Sequence, residues 1–220
     1  MPKQPLLPLT RNEFDEHIKN GTLRLSFVGM SNAGKSYRSR RLHEDLEFHW
    51  YHIDEQIMNA LGFSNMQEIS SWLGLPYAPQ YKEHEEKYLE LENELTKSAA
   101  LDEPGDNLVF DTTGSVIHLG EGAIAALHEH SLIVHLDVGD DSLDMMMERF
   151  KKEPKPVAWA GYFSKRDGES DEDALVRSYG ELLPARLQKY RQLAHLNIRA
   201  SEVHDLSAVE TLRAIRNRLT

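Results

Sequence analysis

A short run near the N-terminus, FVGMSNAGKS (27–36), has residue types and spacing suited to holding a phosphate. It fits the pattern G-x-x-x-x-G-K-[ST], in which glycines let the backbone turn off a strand and approach the anion closely. The N–H groups that open the following helix then form an anion-binding nest. The pattern predicts a site for the phosphates of a nucleotide and for Mg²⁺, and by itself it does not separate a kinase from a GTPase or a motor. The residues expected to contact the nucleotide are Gly29, Asn32, Ala33, Gly34, Lys35, Ser36 and Tyr37.

Two aspartates at predicted strand ends could complete such a site. Asp54 follows FHWYHI, and Asp111 ends NLVF. In an open parallel sheet, ligands bind beyond the carboxyl ends of the strands. Phosphoryl transfer needs one group to orient or deprotonate the attacking hydroxyl and another to hold Mg²⁺. We therefore expect Lys35, Asp54 and Asp111 to be catalytic, with Ser36 and Asp111 holding the metal. The alternative is that each aspartate only caps a helix or turn.

The elements that must position these residues alternate along the chain. Short apolar runs predict five strands, at 23–28, 48–54, 107–111, 131–138 and 196–200. Helical segments between them indicate parallel βαβ units, whose strands are buried on both faces. Residues 1–9 are expected to be an extended arm, and Thr10 with Glu13 has capping-box spacing. The acidic helix face at 83–94 is expected to be solvated.

Composition narrows the class of protein. The chain has 220 residues, is 40% hydrophobic and carries a formal net charge of -11, which disfavours nucleic acid and anionic membranes as partners. It has no cysteine, no apolar core of signal-peptide length at its N-terminus and no apolar run of membrane-spanning length. We expect a soluble cytoplasmic protein that is a monomer, although no helix shows a sustained heptad by which the sequence would fix the oligomeric state. The absence of N-K-x-D counts against a GTPase.

Beyond the phosphate loop, the chain resembles the shikimate kinase family. The resemblance runs in order through FVGMSNAGKS, HIDEQIMNALGFSNMQEI, TTGSVI, HLDVGDDSLDMMMERF and PARLQKYRQLA, over roughly residues 22–219. It implies an α/β P-loop kinase fold with a five-stranded parallel sheet in the order 2-3-1-4-5. It also implies a helical acceptor-binding region at about 55–100 and a lid at about 151–170. We therefore expect a kinase-like domain at 23–220, preceded by the arm and short helix at 1–22.

The resemblance also implies roles for individual residues. Asp54 stands where the family contacts the acceptor hydroxyl, and Gly114 matches one glycine of the turn that approaches the substrate. Arg186 matches the arginine that binds the substrate carboxylate. Lys155, before a proline, matches the basic residue of the lid, and Arg149 is the nearest candidate to lie against adenine.

Four departures from the family pattern fall on the acceptor side. The glycine triplet is replaced by Thr-Gly-Ser at 113–115, and Leu89 stands where a second carboxylate-binding arginine is expected. Leucine cannot form a bidentate charged pair. His52 replaces the family's other acid and either faces the acceptor or packs behind the sheet. Asp111 replaces a small residue. We therefore expect an acceptor other than shikimate.

Three functions remain open. The first is an ATP- and Mg²⁺-dependent kinase that phosphorylates a hydroxyl of a small, anionic metabolite. The second is a nucleoside or nucleotide kinase, in which the aromatic stretches 72–77 and 81–88 would stack a base. The third is a non-catalytic module that binds ATP to order the lid.

Overall fold

The computed structural model describes residues 9–101 and 105–220, and its centre is a five-stranded sheet. The strands are β1 (Arg24–Val28), β2 (His49–His52), β3 (Leu108–Asp111), β4 (Leu132–Asp137) and β5 (Leu196–Arg199). All neighbouring strands are parallel, and their order is β2-β3-β1-β4-β5. The predicted fold class and strand order are both confirmed.

Helices follow each strand and cover both faces of the sheet. Those in the first half of the chain are α1 (Arg11–Lys19), α2 (Lys35–Leu46), α3 (Ile53–Leu61), α4 (Met66–Leu73) and α5 (Tyr81–Leu101). Those in the second half are α6 (Glu121–His130), α7 (Leu143–Lys152), α8 (Asp171–Leu193), α9 (Ala200–Val203) and α10 (Ala208–Arg216). None of the helices in the described residues is long and apolar enough to cross a bilayer.

Two apolar cores lie on opposite faces of the sheet because successive side chains of a strand point to opposite sides. On β1, Leu25 and Phe27 belong to the core that α2 and α10 cover. Val28 belongs to the other core, which α3, α5 and α8 cover. Strands buried on both faces explain the continuous apolar runs in the sequence.

The first helix, α1, packs into the core that α2 and α10 cover and is not a separate appendage. Thr10 and Glu13 form the predicted capping box at its start. Phe14 is fully buried in the core covered by α2 and α10, and Asp15 pairs with Arg216 of α10. Of the predicted extended arm, residues 1–8 lie outside the described residues, and Leu9 is buried.

Strand register brings the chemically important residues to one edge of the sheet. Asp111 ends β3 opposite Phe27 of β1 and opposite His52 of β2. The Thr112 hydroxyl donates a 2.8 Å hydrogen bond to the Phe27 carbonyl, which fixes the chain as it leaves β3. The phosphate loop leaves β1 at the same edge.

The segment predicted as a lid is packed against the body of the protein. Its first two residues belong to α7, so the irregular loop runs from 153 to 170. Trp159 is buried and makes ring contacts with Phe150, Phe163 and Tyr179. This aromatic cluster holds the middle of the loop against α7 and α8.

Candidate active site

The loop after β1 has the backbone shape of an anion cradle. Positive φ angles occur at Gly29 (145°), Asn32 (64°) and Gly34 (96°). Gly34 is the N-cap of α2, and no described side chain caps that helix. The first N–H groups of α2 are therefore available to a phosphate, at the positive end of the helix dipole.

We predict that Gly29→Ala will destabilise the protein by ~1–3 kcal/mol and weaken MgATP binding. A Cβ at Gly29 would lie 2.9 Å from the Leu136 carbonyl oxygen, and the φ of 145° disfavours any side chain. Urea unfolding and MgATP titration measure the two effects. Gly122→Ala is the matched control, since nothing lies within 4 Å of a Cβ there and φ is ordinary. Equal stability of the two variants would contradict the prediction.

Lys35 lies in the centre of this cradle and is buried. Its Nζ donates hydrogen bonds to the carbonyls of Gly29 (3.0 Å) and Met30 (3.2 Å). Burial lowers the pKa of the ammonium, and the carboxylates of Asp111 and Asp54 oppose that shift. The lysine charge is thus held between the loop and the two aspartates.

Asp111 has the properties of a cation ligand. It is 1% exposed, and neither carboxylate oxygen has a hydrogen-bond partner in the described structure. Burial raises the pKa of this carboxyl, while the Ser36 hydroxyl and the Lys35 ammonium counteract the rise. The Nε2 atom of His52 lies 3.5 Å from Asp111 Oδ2, so His52 faces this carboxylate. No backbone N–H of the described residues donates to this carboxylate, so its contacts do not favour the alternative of a turn cap.

The donor set around Asp111 fits Mg²⁺. Hard oxygen ligands, one carboxylate and one hydroxyl, are what Mg²⁺ uses when phosphates and water supply the rest of its shell. Ser36 is exposed beside the cradle and could supply the hydroxyl. No group of three or more His, Asp or Glu side chains among residues 9–101 and 105–220 could hold a metal by itself.

Asp54 lies in the first turn of α3 and not in the strand where its run was placed. The N-cap of α3 is His52, so the alternative that Asp54 serves only as the cap is wrong. Asp54 is half-buried, and its Oδ1 accepts a long hydrogen bond of 3.5 Å from the Tyr88 hydroxyl. Its charge acts on Lys35, Asp111 and Glu92, which places it in the same buried group.

A second carboxylate of this group, Glu92 on α5, was missed from sequence. It is fully buried, so the expectation of a solvated face at 83–94 is wrong at this position. Its oxygens accept hydrogen bonds from the Thr113 hydroxyl and from the Ser115 hydroxyl (2.5 Å). Burial raises the pKa of Glu92 to about 7, although the two hydroxyls lower it. The signal was helical spacing, since Glu92 shares a buried face with Tyr81, Tyr88, Thr96 and Ala99.

The side chain of Arg186, on α8, approaches Gly114 in the turn after β3. A Cβ built on Gly114 would lie 3.9 Å from the Arg186 Nη1 and 3.8 Å from the Tyr190 hydroxyl. That hydroxyl donates to the Gly114 carbonyl. Arg186 is buried, donates through Nη2 to the Ala158 carbonyl, and its Nε has no partner among the described residues. The structure therefore brings together Gly114 and Arg186, the two residues that the resemblance assigns to substrate binding.

Helix α5 also binds the loop at 153–170. The Tyr81 hydroxyl donates to the Val157 carbonyl (2.7 Å), and Glu85 accepts hydrogen bonds from the N–H groups of Trp159 and Ala160. Ala160 has a positive φ of 48°, so Glu85 stabilises an unfavourable turn. Sequence reasoning did not single out Glu85.

The remaining predicted residues lie at the periphery. Arg149 and Lys155 are exposed, and neither belongs to the buried group around Lys35. Tyr37 is 47% exposed, with the Arg38 guanidinium 4.5 Å from its ring centroid. Leu89 packs against the apolar core beneath α5, so the position supplies no charge to the site.

The sheet order and the cradle after β1 together define a P-loop kinase fold. Among solved structures, this fold is shared with shikimate kinases. The one from Acinetobacter baumannii, solved in complex with shikimate, has a TM-score of 0.61 and 20% identity over 94% of this chain and 99% of that chain. Those from Bacteroides thetaiotaomicron and Aquifex aeolicus have TM-scores of 0.58 and 0.55. Their identities are 17% and 20%, over 89% and 88% of this chain and 97% and 94% of theirs. Neither a family model nor a curated protein matches the sequence.

Proposed function

We propose that the protein is an ATP-dependent kinase that transfers the γ-phosphoryl group to a hydroxyl of a small anionic metabolite. The observation that carries this proposal is the buried group at the carboxyl edge of the sheet. It combines a phosphate-type cradle and Lys35 with Asp54, whose carboxylate acts directly on that lysine. A donor site and a candidate acceptor base are therefore neighbours.

The chain's own residues account for most of the reaction. Lys35 and the first N–H groups of α2 would bind the β- and γ-phosphates and stabilise charge on the transferred group. Ser36 and Asp111 would hold Mg²⁺, which neutralises phosphate charge when bound. Asp54 would orient the acceptor hydroxyl or take its proton.

Arg186 supports an acceptor with one anionic group. Its buried Nε has no partner in the described part of the chain, and an anionic group of the acceptor could accept a hydrogen bond from it. The apolar side chain at Leu89 offers no second charged contact. We therefore propose that shikimate is not the acceptor.

Packing contacts favour this function over a nucleoside kinase. The Trp72 ring stacks on His84 with centroids 4.4 Å apart, and the Tyr81 hydroxyl is bound to the loop at Val157. Tyr88 is buried against the core. Aromatic side chains already engaged in this way are poorly placed to stack a base.

We place the reaction in the cytoplasm and expect the protein to act as a monomer.

The experiment follows ADP release from MgATP with a panel of polyols, sugar acids, nucleosides and shikimate. We predict that a sugar acid stimulates ADP release. In Asp54→Asn the acceptor-dependent rate of ADP release should fall by at least about 10²-fold, while the affinity for MgATP stays unchanged. Glu55→Gln is the control, since Glu55 is the exposed neighbouring carboxylate.

Two results would contradict the kinase. One is intact MgATP binding without stimulation by any acceptor. The other is an Asp54→Asn variant as active as wild type. If Asp54→Asn and Asp111→Asn also preserve the cellular role, the non-catalytic module is correct.

A further inference from the structure

Burial of the Glu92 carboxyl group costs the folded protein free energy. Glu92 is fully buried, and it accepts hydrogen bonds from two hydroxyls rather than from a cation. The charged groups that act on it include Asp54 from α3, Arg186 from α8 and Lys35 at the start of α2. A protein with a buried ionisable group of this kind is often less stable than the same protein with a well-packed apolar residue in its place. Its contacts therefore indicate a role other than stability.

The first set of contacts fixes the turn after β3. Thr113 and Ser115 each donate a side-chain hydrogen bond to Glu92, and their hydroxyl oxygens are 2.9 Å apart. The Ser115 N–H donates to the Thr113 hydroxyl at 3.0 Å. From the opposite side, the Tyr190 hydroxyl binds the Gly114 carbonyl. Gly114 is thus held between α5 and α8.

A second set of contacts leads from Glu92 to Asp54. Tyr88 precedes Glu92 by one helical turn on α5, so the two side chains lie on the same face. The Tyr88 hydroxyl donates to Asp54 Oδ1 and also interacts with the Ser115 side chain. Tyr88 and Ser115 therefore connect the two carboxylates through hydroxyl groups.

We propose that Glu92 is a positioning residue of the acceptor site, which fixes the 113–115 turn and orients Asp54. This inference rests on the proposed function, because it assumes that an acceptor lies between Asp54 and Gly114. Glu92 does not touch that acceptor, since it has no exposed surface. It acts through the hydroxyls of Thr113 and Ser115, from which it accepts hydrogen bonds.

The first test needs no acceptor and measures backbone amide exchange in the free protein. Glutamine at position 92 cannot accept from both hydroxyls in the same way, because one of its two terminal atoms is a donor. In Glu92→Gln we expect residues 112–118 to exchange about tenfold faster or more, while β4 (132–137) is unchanged. Glu90→Gln is the matched control, since Glu90 is exposed on the same helix.

The second test separates positioning from general stability by kinetics. With the acceptor identified from the panel, Glu92→Gln and Tyr88→Phe should lower kcat about 10- to 100-fold while KM for MgATP stays within about twofold. Tyr88→Phe keeps the hydroxyls of the turn and removes only the link to Asp54. It also keeps the proposal falsifiable if Glu92→Gln fails to fold.

The outcomes separate the two proposals. If wild type shows no acceptor-dependent ADP release, the proposed function fails, and amide exchange still decides whether Glu92 fixes the turn. If 112–118 exchanges as in wild type, or if all strands accelerate equally, Glu92 does not position the turn. Unchanged kcat in Tyr88→Phe would overturn the link to Asp54.

Discussion

Replacement of Lys35 by methionine is expected to reduce MgATP turnover by about 10³-fold or more, because the variant loses the charge that faces the phosphates. Methionine has similar length and is unbranched, so it fits the space between the Gly29 and Met30 carbonyls. Lys35 is buried, which excludes much of the water that would otherwise screen its charge. Single-turnover ADP formation measures the effect.

A stability measurement shows whether Lys35→Met also loses its ligand. MgATP raises the melting temperature of a protein that binds it only when folded. We expect this rise in wild type and in Lys97→Met, a control at an exposed position of α5, but not in Lys35→Met. Turnover and stabilisation like those of wild type in Lys35→Met would show that the cradle does not bind phosphate through this lysine.

Glu92 is expected to make the protein less stable as pH rises from about 4.5 to about 7. Its pKa is about 7 in the folded protein and near 4.5 when the chain is unfolded. Across that window the folded state holds the extra proton, so raising the pH favours unfolding. Below it both states are protonated, and above it both are ionised. The full loss is about 3 kcal/mol.

Urea unfolding at pH 5 and pH 8 measures this dependence. Other carboxyls also titrate in the range, so the quantity of interest is the difference between wild type and Glu92→Gln. We expect wild type to lose about 3 kcal/mol more than the variant does on going to pH 8. Glu90→Gln should behave like wild type. Parallel pH profiles for wild type and Glu92→Gln would show that Glu92 is not a buried carboxyl with a raised pKa.

The fold and the donor side were predictable because their signals are local. The strands β1, β3 and β4 are rich in apolar residues, and Gly29 through Ser36 form a single contiguous pattern. The boundary error at Asp54 arose because the aromatic, β-rich run 48–54 continues past the end of β2 into α3. Periodicity identifies an element more reliably than it locates its ends.

The acceptor side was only partly predictable because its contacts are distant in sequence. Glu92 meets Thr113 and Ser115 across more than twenty residues, and neither segment alone predicts the pairing. The acidic composition around Glu92 also concealed its place on the buried face of α5. Arg186 and Gly114 were found because the resemblance aligned them, not because their spacing required a contact.

The distribution of the site along the chain has an evolutionary consequence. The phosphate cradle occupies one run, residues 29–36, in which each substitution affects several backbone groups at once. The proposed acceptor side is assembled from α3, α5, the 113–115 turn and α8, so substitutions there leave the residues of the cradle unchanged. The acceptor specificity could therefore change during evolution through mutations outside the cradle, while the binding of the phosphate donor is retained.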